Sequence, residues 1–150
     1  MFLGTYTTNL DPKGRVVMPA KFREVLRGIE VDRLYLSFNG RHLSAYPPQI
    51  WEELHANLYN KITTSPHLDG NLSDYRRYMN SLTSPCNIDK QGRLLIPGEL
   101  RDKAGITKEA IISGNEKMID IWSKEGWDKF EQEMQGKLAE MSKDLSAIGF

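Results

Sequence analysis

The sequence predicts a small α+β protein, a pseudo-twofold β-barrel built from two tandem ββαβ-type repeats with additional helices. Three observations lead there. Residues 9–23 and 87–101 share the frame Asn-apolar-Asp-x-x-Gly-Arg-apolar-apolar-apolar-Pro-x-x-apolar-Arg, with six identical residues in fifteen at an offset of 78. Self-similarity of this kind marks a repeat architecture. Short runs of β-branched and aromatic residues alternate with turns containing Gly, Asn and Pro, as in a strand-rich fold. A chain of 150 residues that is 39% hydrophobic and 27% charged can bury a core without disulfides or metals. Neither half has many long core elements, so each repeat is expected to need the other.

The elements follow in chain order. Residues 5–8 (Thr-Tyr-Thr-Thr) read as a strand, being β-prone throughout. Asp11-Pro12-Lys13-Gly14 has Asp first, Pro second and Gly fourth, the signature of a type I turn. A strand over 15–18 ends at Pro19, which opens a short helix over 20–26 because its fixed backbone angle suits the first helical turn. Strands over 33–37 and 43–46 flank Asn39-Gly40, a hairpin signal. Ile50, Trp51, Leu54 and Leu58 place a helix over 48–60, and Tyr75, Tyr78, Met79 and Leu82 place another over 73–82. Between them, 61–70 has loop composition.

The second copy repeats the pattern. Asp89-Lys90-Gln91-Gly92 forms the turn, 93–96 the strand, Pro97 the break and 99–104 the short helix. Strands over 110–113 and 118–122 meet at Gly114-Asn115. Ser123 is an expected N-cap for a helix through Met134 with Trp127, Phe130 and Met134 on one face. The similarity continues at an offset of 76, where Tyr46 and Trp51 correspond to Trp122 and Trp127. The expected organisation is a first repeat over 1–60, a connecting loop and helix over 61–78, a second repeat over 79–135 and a C-terminal extension over 136–150, whose end frays.

Catalysis is not written in this chain. His42, His55 and His67 are scattered, with no carboxylate or Cys at ligand spacing, so no metal site or cofactor is expected. There is no Walker loop, no G-x-S-x-G and no dinucleotide-binding G-x-G-x-x-G. The single Cys86 corresponds to Thr8 in the first copy and reads as a small strand residue, not a nucleophile. Glu52-Glu53 and the Glu131/Glu133 pair read as solvated helix faces. No small-molecule substrate is implied. The apolar runs are too short to span a bilayer, and the N-terminus lacks a secretory pattern, so a cytoplasmic location is expected.

Twenty Lys+Arg balance twenty Asp+Glu, for a net charge of +0. Such a balance alone argues against a generic polyanion binder, but position matters. Residues 1–86 carry 10 basic and 8 acidic side chains, and residues 87–150 carry 10 and 12. Lys13, Arg15, Lys21, Arg23 and Arg27 cluster around the first turn and helix, whereas the last helix is acidic.

The feature that stands out is the doubled Asp-x-x-Gly-Arg. In the structural reading Asp11 and Asp89 cap their turns, Gly14 and Gly92 provide the backbone conformation, and Arg15 and Arg93 pair with the Asp four residues before. Two copies also present two Arg side chains in related geometry. That suits duplex DNA, where Arg clamps guanine O6/N7 or a phosphate as a bidentate fork. Arg15 and Arg93 are then the specific contacts, held extended by their Asp partners, with Lys13 and Lys90 nearer phosphate.

Met1-Phe2-Leu3-Gly4-Thr5-Tyr6, the Asp11/Arg15 and Asp89/Arg93 pairs, and the following Met18-Pro19 and Ile96-Pro97 resemble the bacterial MraZ family over nearly the whole chain. More distantly they are similar to AbrB-type swapped-hairpin regulators, which match one copy at a time. The resemblance implies two tandem AbrB-like repeats and a transcriptional regulator, of the repressor type, of its own division and cell-wall operon. It further implies a ring-shaped homo-oligomer on direct repeats of promoter DNA, at the nucleoid. Basic residues of the short helix, here Arg23 and Arg101, join the DNA-binding set by the same resemblance. The alternative is a ring-forming assembly module whose Asp–Arg turns are structural and whose faces with Trp51, Trp127, Phe130 and Met134 dock another protein.

Overall fold

The computed structural model describes residues 1–150, the side chain of Asp69 excepted. The chain runs through β1 (Thr5–Asn9), β2 (Arg15–Val17), α1 (Ala20–Gly28), β3 (Arg33–Phe38), β4 (Leu43–Tyr46) and α2 (Pro48–Thr64). A 3-10 turn (Pro66–Leu68) leads into α3 (Asp69–Ser81). The order then recurs as β5 (Thr83–Asn87), β6 (Arg93–Leu95), α4 (Gly98–Ala104), β7 (Glu109–Asn115), β8 (Met118–Ser123) and α5 (Lys124–Ala147).

Two sheets form: a six-stranded sheet in the order β1-β7-β8-β4-β3-β5 and a two-stranded ribbon, β2-β6. Exchanging each strand of the larger sheet for its counterpart (β1 for β5, β3 for β7, β4 for β8) returns the same order read backwards. All pairings are antiparallel, and β1 with β7, β4 with β8 and β3 with β5 each join one copy to the other.

The predicted barrel does not form. Its closure needs pairing between the outer strands β1 and β5, which remain the two edges of an open sheet. The Asp-x-x-Gly turns explain why. Each is closed on itself, with Asp11 N–H donating to the Arg15 carbonyl and Gly14 N–H to the Asp11 carbonyl, both at 2.9 Å, and Asp89 N–H to the Arg93 carbonyl and Gly92 N–H to the Asp89 carbonyl, both at 2.9 Å. Beyond the turn, β2 and β6 give their hydrogen bonds to each other, with Arg15 opposite Leu95, Val16 opposite Leu94 and Val17 opposite Arg93. The ribbon therefore leaves the large sheet instead of sealing it.

The core lies between the large sheet, the ribbon and the two short helices. Leu34, Leu36, Ile112, Ile119 and Ile121 meet Val16 and Leu94 of the ribbon, Phe22 and Leu26 of α1 and Leu100 of α4. Full burial of one such side chain contributes about 1.5–3 kcal/mol. Strand alternation sends Tyr35, Tyr46 and Trp122 to the opposite face. There Trp51 of α2 lies 5.7 Å from Tyr35 and 5.3 Å from Tyr46, and Trp127 and Phe130 of α5 lie 5.6 and 5.0 Å from Trp122. Each copy thus carries one long helix seated through a Trp on its own hairpin.

Three local expectations change. Residues 61–70 are largely helical: α2 continues to Thr64 because Ile62 is buried, and packing outweighs the poor helix propensity of Thr and Ser. The hairpin between β7 and β8 turns at Glu116-Lys117, with Glu116 at φ 60°, and not at Gly114-Asn115. Gly114 sits inside β7 because a Cβ there would collide with the backbone of Phe2 and Leu3, and its N–H donates to the Gly4 carbonyl at 2.8 Å. α5 runs to Ala147, with Ser123 capping it by accepting from Gly126 N–H at 2.9 Å.

Candidate nucleic-acid interface

The two predicted turns adopt one geometry. In the first, Oδ1 of Asp11 accepts from the N–H groups of Lys13 and Arg15, both at 2.9 Å, and Oδ2 accepts from Arg15 Nε at 2.6 Å. In the second, Oδ1 of Asp89 accepts from Gln91 and Arg93 at 3.0 and 2.8 Å, and Oδ2 from Arg93 Nε at 2.7 Å. Aspartate suits this place because one carboxylate can close the turn with one oxygen and hold a guanidinium with the other. The backbone N–H of the paired Arg, followed by its guanidinium, holds each Asp below the ordinary value of 3.8. Both carboxylates are therefore charged, and both ion pairs set, at neutral pH.

Only Nε of each Arg is spent on the Asp. Among the described residues, no hydrogen bond to either terminal nitrogen of Arg15 is found, while Arg93 donates from Nη2 to Gln91 Oε1 at 2.6 Å. The copies differ here because Gln91 stands where the first copy has Lys13. Arg15 and Arg93 keep side-chain exposures of 25% and 31%, so their free edges reach solvent. Lys13 and Lys90 are exposed on the turns.

Arg23 and Arg101 have a different placement. They are half-buried on α1 and α4, and each reaches across to the turn of the other copy. Arg101 donates from Nε to the Ile96 carbonyl at 2.9 Å, and Arg23 from Nη1 to the Gln91 carbonyl at 3.4 Å. Gly14 and Gly92 receive them: φ is +86° and +77°, and a Cβ on Gly14 would lie 2.6 Å from the Arg101 guanidinium carbon, while one on Gly92 would strike Arg23. Beside the second turn a hollow of about 190 Å³ is lined by Arg23, Arg27 and Lys90 together with Asp32 and Asp89.

Antiparallel pairing brings both turns onto one ribbon, at its opposite ends: Ile96 N–H donates to the Gly14 carbonyl at 3.1 Å and Met18 N–H to the Gly92 carbonyl at 2.8 Å. Arg15, Val17, Arg93 and Leu95 share the outer face, since Val16 and Leu94 between them are fully buried. At about 3.4 Å per residue, Arg15 and Arg93 stand roughly 7 Å apart along the ribbon. Val17 and Leu95 escape the sequence reading because each lies in an apolar run, where only the strand register separates outward from inward residues.

Elsewhere, His42 is buried beside Asp120, with Nδ1 to Oδ1 at 3.9 Å. Burial pushes His42 down and Asp120 up from their ordinary values. Burial likewise raises the Cys86 thiol. Among the described residues no three His, Cys, Asp or Glu side chains converge as a metal site, and no helix is long and apolar enough to cross a membrane.

Comparison with known proteins defines the class as regulatory and not catalytic. A family model described as "MraZ protein, putative antitoxin-like" matches twice, over residues 1–68 and 79–146. A "Transcriptional regulator MraZ" from Desulforamulus reducens is 32% identical over 146 residues, covering 97% of both chains. Another, from Herpetosiphon aurantiacus, is 35% identical over 150 residues and covers 99% of both. The solution structure of PHS018 from Pyrococcus horikoshii covers 81% of this chain and 88% of that one at 18% identity, with a TM-score of only 0.33. This chain belongs to the MraZ family of transcriptional regulators.

Proposed function

We propose that the chain represses its own division and cell-wall operon by binding direct repeats of promoter DNA as a ring-shaped homo-oligomer, in the cytoplasm at the nucleoid. One observation carries this reading: the β2–β6 ribbon holds Arg15 and Arg93 on one exposed face, each fixed by its own Asp. A two-stranded ribbon fits the major groove, and an Arg whose Nε is anchored offers its terminal nitrogens to guanine O6/N7. Anchoring lowers the ordering cost of that contact. The spacing of roughly 7 Å corresponds to about two base steps at 3.4 Å each.

In this reading residues 1–60 and 79–135 act as the two halves of one reader, linked by 61–78 and extended by 136–150. Lys13 and Lys90 approach phosphates, and Arg23 and Arg101 support the turns and the nearby backbone of the DNA. Asp11, Gly14, Asp89 and Gly92 set the geometry. With a net charge of +0, a single subunit attracts DNA weakly, and a ring adds the subunit contacts by avidity.

The test is promoter binding by Arg15→Ala, Arg93→Ala and the double variant, with oligomer size followed in parallel. Arg15→Ala is expected to weaken binding by about five- to 150-fold, because one bidentate base contact is worth about 1–3 kcal/mol. Arg93→Ala is expected to cost less, since Arg93 already shares Nη2 with Gln91. Unchanged affinity in a correctly assembled double variant overturns the reading. It would favour the assembly module, which draws on the fact that both Asp–Arg pairs are complete within their own turns.

A further inference from the structure

The outer face of the ribbon holds more than arginines. Val17 and Leu95 are 49% and 50% exposed, while Val16 and Leu94, one residue away on the same strands, are at 0%. Single exposed apolar residues are ordinary on protein surfaces. These two are not scattered: Leu95 stands directly opposite Arg15 and Val17 directly opposite Arg93. The arrangement is the same in both copies, an aliphatic side chain beside an anchored guanidinium, with an exposed Lys on the turn at each end. Strand propensity alone does not require it, since Thr is as acceptable in a strand and is polar.

We propose that Val17 and Leu95 are specificity-determining residues that contact thymine C5-methyl groups in the major groove, next to the bases read by Arg93 and Arg15. The inference rests on the DNA-binding reading and deepens it. Directly opposed side chains on a ribbon lie about 5 Å apart, so an Arg and its aliphatic neighbour address the same or adjacent base pairs. The thymine methyl is the one apolar group that a base edge presents in the major groove, and small aliphatic side chains recognise it by contact. Duplex DNA is favoured as the occupant of this face by charge: the aliphatic pair lies within a frame of Lys13, Arg15, Lys90 and Arg93, which an apolar protein surface would have to desolvate without compensation.

The test uses the full-length protein and the duplex footprinted upstream of its own operon, compared with the same duplex in which the footprinted thymines are replaced by deoxyuridine. That change removes only the C5-methyl groups. The wild-type chain is expected to bind the deoxyuridine duplex about three- to fourfold more weakly for each methyl contacted, the equivalent of about 0.8 kcal/mol of buried methyl. A Val17→Ser/Leu95→Gln variant, with oligomer size and thermal melting matching wild type, is expected to bind both duplexes equally. The single Leu95→Gln variant, which keeps a side chain of similar length on the solvent face and so guards against misfolding, is expected to lose part of the discrimination. Wild type indifferent to the methyl groups, or a variant that still discriminates by the full factor, overturns the proposal while leaving DNA binding intact. A changed oligomer size in the variants overturns it in favour of a subunit contact on this face. Absence of wild-type binding to either duplex overturns the DNA-binding reading itself.

Discussion

Gly14 and Gly92 each satisfy two demands that no other residue meets together. Their φ values of +86° and +77° lie in the left-handed region, and the space a Cβ would fill holds the Arg101 and Arg23 side chains of the opposite copy. The first demand was legible in the sequence, since Asp-x-x-Gly announces a turn with Gly at its end. The second was not, because it depends on β2 pairing with β6 across a separation of 78 positions. The same separation hid the placement of Arg23 and Arg101, which look like solvated helix residues when each copy is read alone. Gly14→Ala is expected to destabilise by about 1–3 kcal/mol from the backbone alone, with a further loss from displacing Arg101. Combining it with Arg101→Ala should recover the second part and leave the first. Denaturant unfolding of the two singles and the double gives the coupling directly, and strictly additive losses would show that the glycine's open side is irrelevant.

At the level of the element, the ribbon is a three-pair structure with one wet and one dry face. Leu94 is at 0% exposure in the core and Leu95 at 50% outside it, although the two are identical in chemistry and adjacent in sequence. Leu94→Ala is expected to cost about 2–5 kcal/mol through lost burial and a cavity. Leu95→Ala is expected to stay within about 0.5 kcal/mol, as for surface positions free of special contacts. Equal losses in chemical denaturation would mean that the outer face is covered in solution. The strands, the short helices after Pro19 and Pro97 and the helices seated by Trp51 and Trp127 were legible from local pattern, because each is decided by residues within a few positions. Register, and therefore which Leu faces out, is decided by pairing partners in the other copy. The continuation of α2 to Thr64 was missed for a related reason: Ile62 packs against structure that the run of Thr and Ser does not reveal.

For the whole molecule, the decisive fact is where the pairings fall. Within the large sheet, β3 with β4 and β7 with β8 are hairpins internal to one copy, while β1–β7, β4–β8 and β3–β5 join the copies, as does the ribbon. Separating the copies therefore leaves each with one hairpin, a detached strand at either side and unpaired edges that expose the leucines and isoleucines of the core. An isolated hairpin is marginal in water, and such edges invite association. The barrel expectation failed at this scale too, since β2 and β6 pair with each other as a separate ribbon and β1 and β5 stay apart as the edges of the large sheet. A chain ending at residue 68 and a second beginning at residue 79, the bounds of the two family matches, are each expected to lack a cooperative melting transition when expressed alone. Mixed, they should recover native-like circular dichroism and one shared transition, because the junction they omit crosses none of the named strand pairings. DNA binding should return only in the mixture, since Arg15 and Arg93 share a ribbon only when both copies are present. A stable, cooperatively melting single half would show that the copies are independent domains and that the strand exchange between them is not what holds the fold.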